Sequence, residues 1–155
     1  MRSSVLSDFL EAAEAGLRVT TGDAGAVAVE VVARWRDSHG VPQSDVPQFG
    51  AERLPVCDCI APALAGNSTA LAQSFSKIAP ALHWQRRASA DPAHAAFWNG
   101  HANALILGPG GLEQRDDLWL GVTLMAPRTL YPDHTHPPAE VYLPLTAGEW
   151  WNAGM

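Results

Sequence analysis

The sequence of 155 residues has few cysteines, no basic stretch and no long apolar run. Cys57 and Cys59 are separated by one residue, so a disulfide between them would close a strained ring, and we expect two reduced thiols. Sixteen Asp and Glu residues outnumber ten Lys and Arg residues, which argues against nucleic acid and anionic membranes as partners. No apolar run approaches the roughly 18 residues of a membrane span. Acidic residues interrupt the N-terminus where a signal peptide has its apolar core, so we expect a cytoplasmic protein.

What is present is a globular composition, with 47% hydrophobic residues, which predicts one domain or one domain with an appendage. The first part has the apolar periodicity of helices, between Val5 and Leu17 and again between Val27 and Trp35. Gly22-Asp23 separates the two helices, and Gly40 stands where a C-terminal cap is expected.

A connector and a third helix are predicted next. Residues 41–66 carry four prolines and two glycines, which is typical of a long surface connector. Asn67 or Ser68 can cap a helix with Leu71, Phe75 and Ile78 on one face, and Pro80 ends it.

The second part of the chain has the pattern of short strands separated by Gly and Pro turns, which favours an antiparallel barrel or sandwich. Gly108-Pro-Gly-Gly111 is one such turn; it lacks the Lys-Ser/Thr and the helix of a phosphate loop. The predicted strands are 82–88, 101–107, 118–126 and 141–145.

The segment Tyr131-Pro-Asp-His-Thr-His-Pro-Pro-Ala-Glu-Val-Tyr142 carries the chemistry. Alternate residues of an extended chain share a face, so His134 and His136 point the same way, as do Glu140 and Tyr142. Two imidazoles and a carboxylate that converge form a site for a divalent metal with at least one further ligand position. A phenol beside such a metal can act as an acid or a base.

A His-x-His-x3-Glu run between strands is similar to the first metal motif of cupins. Over roughly residues 78–152 the sequence resembles the cupin-type dimethylsulfoniopropionate lyases, in particular the DddQ-like group. The segments that carry this resemblance are Ala81-Leu-His-Trp84 with Arg87, His101-Ala-Asn-Ala104, Gly108-Pro-Gly-Gly-Leu112, Val122-Thr-Leu-Met-Ala-Pro127, Tyr131-Pro-Asp-His134 and Glu140-Val-Tyr142.

The resemblance implies an α+β, mostly β fold, with N-terminal helices before a cupin-type antiparallel β-barrel. We divide the chain accordingly into 1–80, the helical segment and connector, and 81–155, the first part of the barrel. The metal ligands would be His134, His136 and Glu140. Tyr142 would be the catalytic base and Tyr131 a second active-site tyrosine.

The implied reaction is the elimination of dimethyl sulfide from dimethylsulfoniopropionate, which leaves acrylate. A metal that binds the substrate carboxylate spreads the charge that develops when the neighbouring carbon loses a proton. Aromatic faces can hold the sulfonium, and we assign Trp84 and Tyr131 to substrate binding. The ligand set suits Zn, Fe, Mn, Co or Ni without selecting one.

The sequence departs from the cupin pattern at the fourth ligand, a His expected a few tens of residues after Glu140. Only fifteen residues follow Glu140 and none is His; the upstream candidates are His39, His83, His94 and His101. The chain therefore looks truncated before the second cupin motif, as a fragment or as a natural short form that pairs with a second copy in a homodimer. Two further functions stay open: another cupin metalloenzyme, such as a dioxygenase or isomerase, and a non-catalytic binding protein or inactive form.

Overall fold

The computed structural model describes residues 2–37, 40–42, 54–133 and 139–149. Helix α1 spans Ser4–Leu17, and its N-cap is Ser3, whose hydroxyl accepts a hydrogen bond from the Leu6 N–H. Its buried face is the predicted apolar stripe, including Leu6, Phe9 and Leu10. Helix α2 spans Gly22–Asp37 and buries Ala28 and Trp35. Both helices are therefore confirmed.

The predicted connector has more structure than its prolines indicate. After a two-residue strand β1, Val41–Pro42, the described chain resumes with a 3-10 turn at Pro55–Cys59 and a short helix α3 at Ile60–Leu64. Pro55 stands at the start of the 3-10 turn, where its missing N–H costs nothing, so proline here begins a helical turn. No disulfide joins Cys57 to Cys59, in agreement with the prediction of reduced thiols.

The third predicted helix is α4, Ala70–Ile78, followed by a 3-10 turn at Ala79–Ala81. Its cap is Thr69, whose hydroxyl accepts a hydrogen bond from Ala72 N–H, so the prediction of Asn67 or Ser68 was wrong by one or two residues. Asn67 instead caps the turn before the helix, because its Oδ1 accepts a hydrogen bond from Thr69 N–H at 3.1 Å.

Helix α5, Ala95–Gly100, leads into a mixed four-stranded sheet that also includes β1 from earlier in the chain. Its remaining strands are β2, His101–Leu107, β3, Glu113–Gln114, and β4, Leu120–Met125, in the order β1-β3-β2-β4. Strands β2 and β4 are antiparallel, β1 and β3 are antiparallel, and β2 and β3 are parallel. The predictions at 101–107 and 118–126 are confirmed, as is the glycine turn between β2 and β3, where Gly108 and Gly110 have positive φ.

Two predicted strands are wrong. In 82–88 only Gln85 pairs with the sheet, through a single bridge to Asn103. Residues 141–145 form no strand, although their burial alternates as in an extended chain. Val141, Leu143 and Leu145 pack against the hydrophobic core, so contacts with the helices hold this segment in place of a strand ladder.

One hydrophobic core joins the helices to the sheet. It contains residues of α1, α2 and α4 together with Ala104, Ile106 and Leu107 of β2, and thus draws on both sides of the predicted boundary after residue 80. Ala104 and Ile106 turn one face of β2 to this core, so His101 and Asn103 turn to the other face. The described chain is an α+β structure with an open sheet. No helix within the described ranges has the length and apolar character needed to cross a membrane.

Candidate active site

Glu140 and Tyr142 meet on one face of the chain, as their spacing predicts. The Tyr142 hydroxyl donates a 2.7 Å hydrogen bond to Glu140 Oε2. Tyr142 is half exposed, with 53% of its surface accessible. Partial burial and the adjacent Glu140 carboxylate raise the pKa of the Tyr142 phenol to about 12. Both effects disfavour the phenolate, so removal of this proton needs a compensating positive charge nearby.

Tyr131 and Arg87 lie beside this pair. Arg87 Nη1 donates a hydrogen bond to the Tyr131 hydroxyl at 3.4 Å, and Arg87 Cζ is 5.6 Å from the centre of the Tyr131 ring. Both residues are near enough to Tyr142 to act on its pKa, Tyr131 raising it and the positive charge of Arg87 lowering it. The structure therefore groups two phenols, one carboxylate and one guanidinium.

His101 holds the backbone of Arg87, one member of this group. It is fully buried, its Nε2 accepts a hydrogen bond from the Arg87 backbone N–H at 3.0 Å, and its Nδ1 lies 2.5 Å from the Phe97 carbonyl oxygen. Because the N–H can only donate and the carbonyl can only accept, the ring is the neutral tautomer protonated at Nδ1. Both nitrogens are thus engaged, and His101 anchors the backbone of Arg87 rather than standing ready to bind a metal.

Phe97 connects His101 to Tyr131. Its ring stacks on the imidazole of His101, with centroids 3.7 Å apart and planes at 3°, and meets the Tyr131 ring edge-on at 5.3 Å. These aromatic contacts fix the orientation of the Tyr131 ring.

A tight turn after β4 delivers Tyr131 to Phe97. Ala126 N–H donates to Gly100 O at 2.8 Å, and Thr129 N–H donates to Ala126 O at 3.1 Å. Arg128 adopts a φ of 62° within the turn. Thr129 lies so close to Gly100 that no Cβ fits there. The glycine at the end of α5 therefore lets the turn approach and sets the position of Tyr131.

The remaining predicted site residues are His134, His136 and Trp84. His134 and His136 lie outside the described residues. Trp84 is half buried against the core, and its indole N–H donates to Ala79 O at 3.2 Å. Among the residues that the structure describes, no three His, Cys, Asp or Glu side chains cluster as a metal site would require. The metal ligands and the substrate contact of Trp84 stay predictions.

Sequence reasoning missed the parts of the site that come from outside the His-x-His segment. The sequence points to Arg87 only through the family resemblance and to His101 through that resemblance and as a candidate metal ligand, and it gives no indication of Phe97. The four-residue spacing from Phe97 to His101 is a weak signal of one helical turn, but nothing local links either residue to Tyr131.

A comparison with protein families gives a match to dimethylsulfoniopropionate lyase over residues 29–155, more than three quarters of the chain. No curated protein and no solved structure matches the sequence significantly. The family match includes the whole group just described: Arg87, Phe97, His101, Tyr131 and the Glu140–Tyr142 pair. The chain belongs to the dimethylsulfoniopropionate lyase family.

Proposed function

We propose that this protein is a metal-dependent carbon–sulfur lyase that cleaves dimethylsulfoniopropionate to dimethyl sulfide and acrylate. The observation that carries the proposal is the family match over residues 29–155. The pairing of the Tyr142 hydroxyl with Glu140 at 2.7 Å supports it, because it brings an acid–base group next to a predicted metal ligand.

The donor set fits a divalent transition metal. His134, His136 and Glu140 are the nitrogen and oxygen ligands that such ions take, and Glu140 is an exposed carboxylate. When bound, the cation supplies Lewis-acid polarisation of the substrate carboxylate and a positive charge that favours a phenolate beside it.

In the proposed step, the Tyr142 phenolate oxygen takes the proton from the carbon next to the substrate carboxylate. The electron pair of that C–H bond forms the C=C bond of acrylate, the C–S bond breaks, and its electron pair leaves with sulfur as neutral dimethyl sulfide. The leaving group departs from a sulfonium and needs no acid. A phenolate is a stronger base than an ordinary carboxylate or imidazole.

Tyr131 and Trp84 are the proposed contacts to the substrate. The aromatic faces attract a sulfonium by about 0.5–2 kcal/mol. We also propose that the sheet β1-β3-β2-β4 belongs to a cupin-type barrel. The antiparallel β2–β4 pair and the position of the His-x-His segment shortly after β4 support this arrangement.

The test is to supply purified protein with Zn, Mn or Fe and dimethylsulfoniopropionate, and to measure dimethyl sulfide in the headspace together with acrylate in solution. We expect equal amounts of the two products and loss of both after chelation. A folded, metal-loaded protein that releases neither product, or that consumes oxygen instead, would contradict the proposal.

A further inference from the structure

Arg87 is partly buried and has no acidic partner among the described residues. Arg86, which has none either, bonds the Trp98 carbonyl and lies over the Trp98 ring instead. Among the described residues, the Arg87 guanidinium contacts the hydroxyl and the ring of Tyr131. Elsewhere in the described ranges, carboxylates form ion pairs with Arg2, Arg18, Arg34, Arg36 and Arg115. Withdrawing a positive charge from water without a counter-ion is unfavourable. A partly buried guanidinium that keeps only a phenol as partner is therefore suited to accept an anion from outside the chain.

The backbone that presents Arg87 is fixed. Its N–H is bound to the buried His101 ring, and two residues earlier Gln85 exchanges two backbone hydrogen bonds with Asn103 of β2, at 2.9 and 2.7 Å. The guanidinium therefore projects from a segment attached to the sheet at two points. Rigid support of this kind is what a ligand-binding side chain requires.

We propose that Arg87 is the carboxylate-binding residue of the active site, pairing its guanidinium with the carboxylate of the substrate. This inference rests on the proposed lyase function, and it adds a second cationic group to the substrate carboxylate. The planar fork of a guanidinium matches a carboxylate. Its charge stabilises the carboxylate as the adjacent carbon loses a proton, and Tyr142 lies within its electrostatic reach.

The same charge orients the substrate. Dimethylsulfoniopropionate carries a carboxylate at one end and a sulfonium at the other. Arg87 attracts the first and repels the second, so the sulfonium lies against Trp84 or against the face of Tyr131 that Arg87 does not cover. Arg87 thereby distinguishes this zwitterion from cations of similar size that lack a carboxylate.

The decisive experiment is a titration with acrylate, the carboxylate product of the proposed reaction. Ligand-observed NMR measures its dissociation constant for the wild-type protein, Arg87→Gln and Arg87→Lys. We expect Arg87→Gln to weaken acrylate binding by about 30-fold or more, because one partner of a charge pair is removed. Arg87→Lys keeps the charge without the fork, so a smaller loss is expected. The matched control is Arg86→Gln. The Arg86 guanidinium lies 4.4 Å from the Trp98 ring and its Nε bonds Trp98 O, so this variant should bind acrylate within about twofold of wild type.

Turnover separates substrate binding from a purely structural role. If Arg87 binds the carboxylate, Arg87→Gln raises KM for dimethylsulfoniopropionate more than it lowers kcat. If Arg87 only positions Tyr131, kcat falls while acrylate affinity stays at the wild-type value, and the proposal is wrong. If Arg87→Gln does not fold, Arg87→Lys is used instead. Acrylate affinity and KM equal to those of wild type in Arg87→Lys would argue against recognition of the carboxylate by the planar guanidinium.

Different results overturn the lyase function and the role of Arg87. A wild-type protein that binds acrylate through Arg87 but releases no dimethyl sulfide overturns the lyase function and keeps the carboxylate site. A wild-type protein that releases dimethyl sulfide, with acrylate affinity and KM unchanged in Arg87→Gln, overturns the role of Arg87. Absence of acrylate binding to wild type also overturns it.

Discussion

At the scale of single residues, the spacing of two between Glu140 and Tyr142 brings a phenol and a carboxylate together. In an extended chain this spacing places both side chains on one face, and the phenol donates its hydrogen bond to the carboxylate. The carboxylate holds the phenol in position and at the same time raises the pKa of Tyr142. If Tyr142 is the base that we propose, Glu140 positions it, and a nearby cation must lower the pKa that Glu140 raises.

Tyr142→Phe keeps the aromatic ring and removes the hydroxyl of the proposed base. We expect turnover of dimethylsulfoniopropionate to fall by about 10²–10⁴-fold. Metal content should stay at the wild-type level, because Glu140 and the two histidines are unchanged. Headspace dimethyl sulfide and elemental analysis of the same samples check both statements. Tyr131→Phe is the comparison variant, and a smaller loss is expected there because its hydroxyl pairs with Arg87. Wild-type turnover in Tyr142→Phe would show that another group removes the proton.

The Glu140–Tyr142 pair could be predicted from the sequence because it depends only on local geometry. The place of Arg87 could not. It depends on the bridge between Gln85 and Asn103 and on the imidazole of His101, which reaches across 14 residues to the Arg87 backbone. The role of His101 was equally hidden, since a buried histidine on a strand has the same sequence pattern whether it binds a metal or a backbone N–H.

At the scale of elements, strands were predictable where apolar runs are bounded by turns, as at β2 and β4. They were not predictable at residues 141–145, where tertiary contacts hold the chain in place of hydrogen bonds between strands. Pro144 has no N–H to donate, and Asn67 Nδ2 donates to Leu145 O at 2.9 Å. Residues 141–145 are therefore held to the helical part of the molecule, although their alternation is that of a strand.

The element-scale prediction concerns the contact between the end of α5 and the turn after β4. In Gly100→Ala the new Cβ would collide with Thr129 Oγ1 and lie 3.1 Å from its Cγ2. We expect the free energy of unfolding to fall by about 1–3 kcal/mol, as in overpacked interiors. Turnover should fall as well, because the displaced turn carries Tyr131. Urea unfolding and dimethyl sulfide release measure the two effects.

The double variant Gly100→Ala/Thr129→Ala tests whether the collision with Thr129 causes the loss of stability in Gly100→Ala. Removing Oγ1 and Cγ2 of Thr129 leaves only its Cβ near the new methyl, at 3.3 Å. Most of the lost stability and turnover should return in the double variant relative to Gly100→Ala, with Thr129→Ala alone as the matched control. Equal losses in Gly100→Ala and the double variant would mean that the contact with Thr129 is not the reason for glycine.

At the scale of the whole molecule, buried charge links the N-terminus to the sheet. Arg2 forms two hydrogen bonds to Glu113 of β3, Nε to Oε2 at 2.7 Å and Nη2 to Oε1 at 2.8 Å, and Gly40 N–H donates to Oε1 at 3.0 Å. The side chains of Arg2 and Glu113 are 10% and 1% exposed. The hydrogen bond from Arg2 is the main cause that lowers the pKa of Glu113; the Gly40 N–H and the charges of Arg2 and Arg115 act the same way, against burial.

The sign of the pH dependence follows from this lowered pKa. In the unfolded chain Glu113 takes up its proton near its ordinary value of 4.5, whereas in the fold it does so only at lower pH. Its contribution to stability is therefore complete above the unfolded pKa and is lost as the pH falls through the folded pKa. Acidification from pH 6 should weaken the connection between the N-terminal helix and the sheet.

Arg2→Ala tests this connection. The substitution leaves the Glu113 carboxylate buried without its main partner, so we expect the free energy of unfolding at pH 7 to fall by about 3–5 kcal/mol. The deficit should shrink toward pH 4, because Glu113 in the variant can be protonated while the wild-type carboxylate stays charged and paired. Urea unfolding of both proteins at pH 7, 5 and 4 measures the difference.

The matched control is Glu30→Ala, which removes the exposed pair with Arg34 and should cost less than about 1 kcal/mol at each pH. If the deficit of Arg2→Ala equals that of Glu30→Ala, or grows on acidification, the buried pair does not stabilise the fold in the way its geometry indicates.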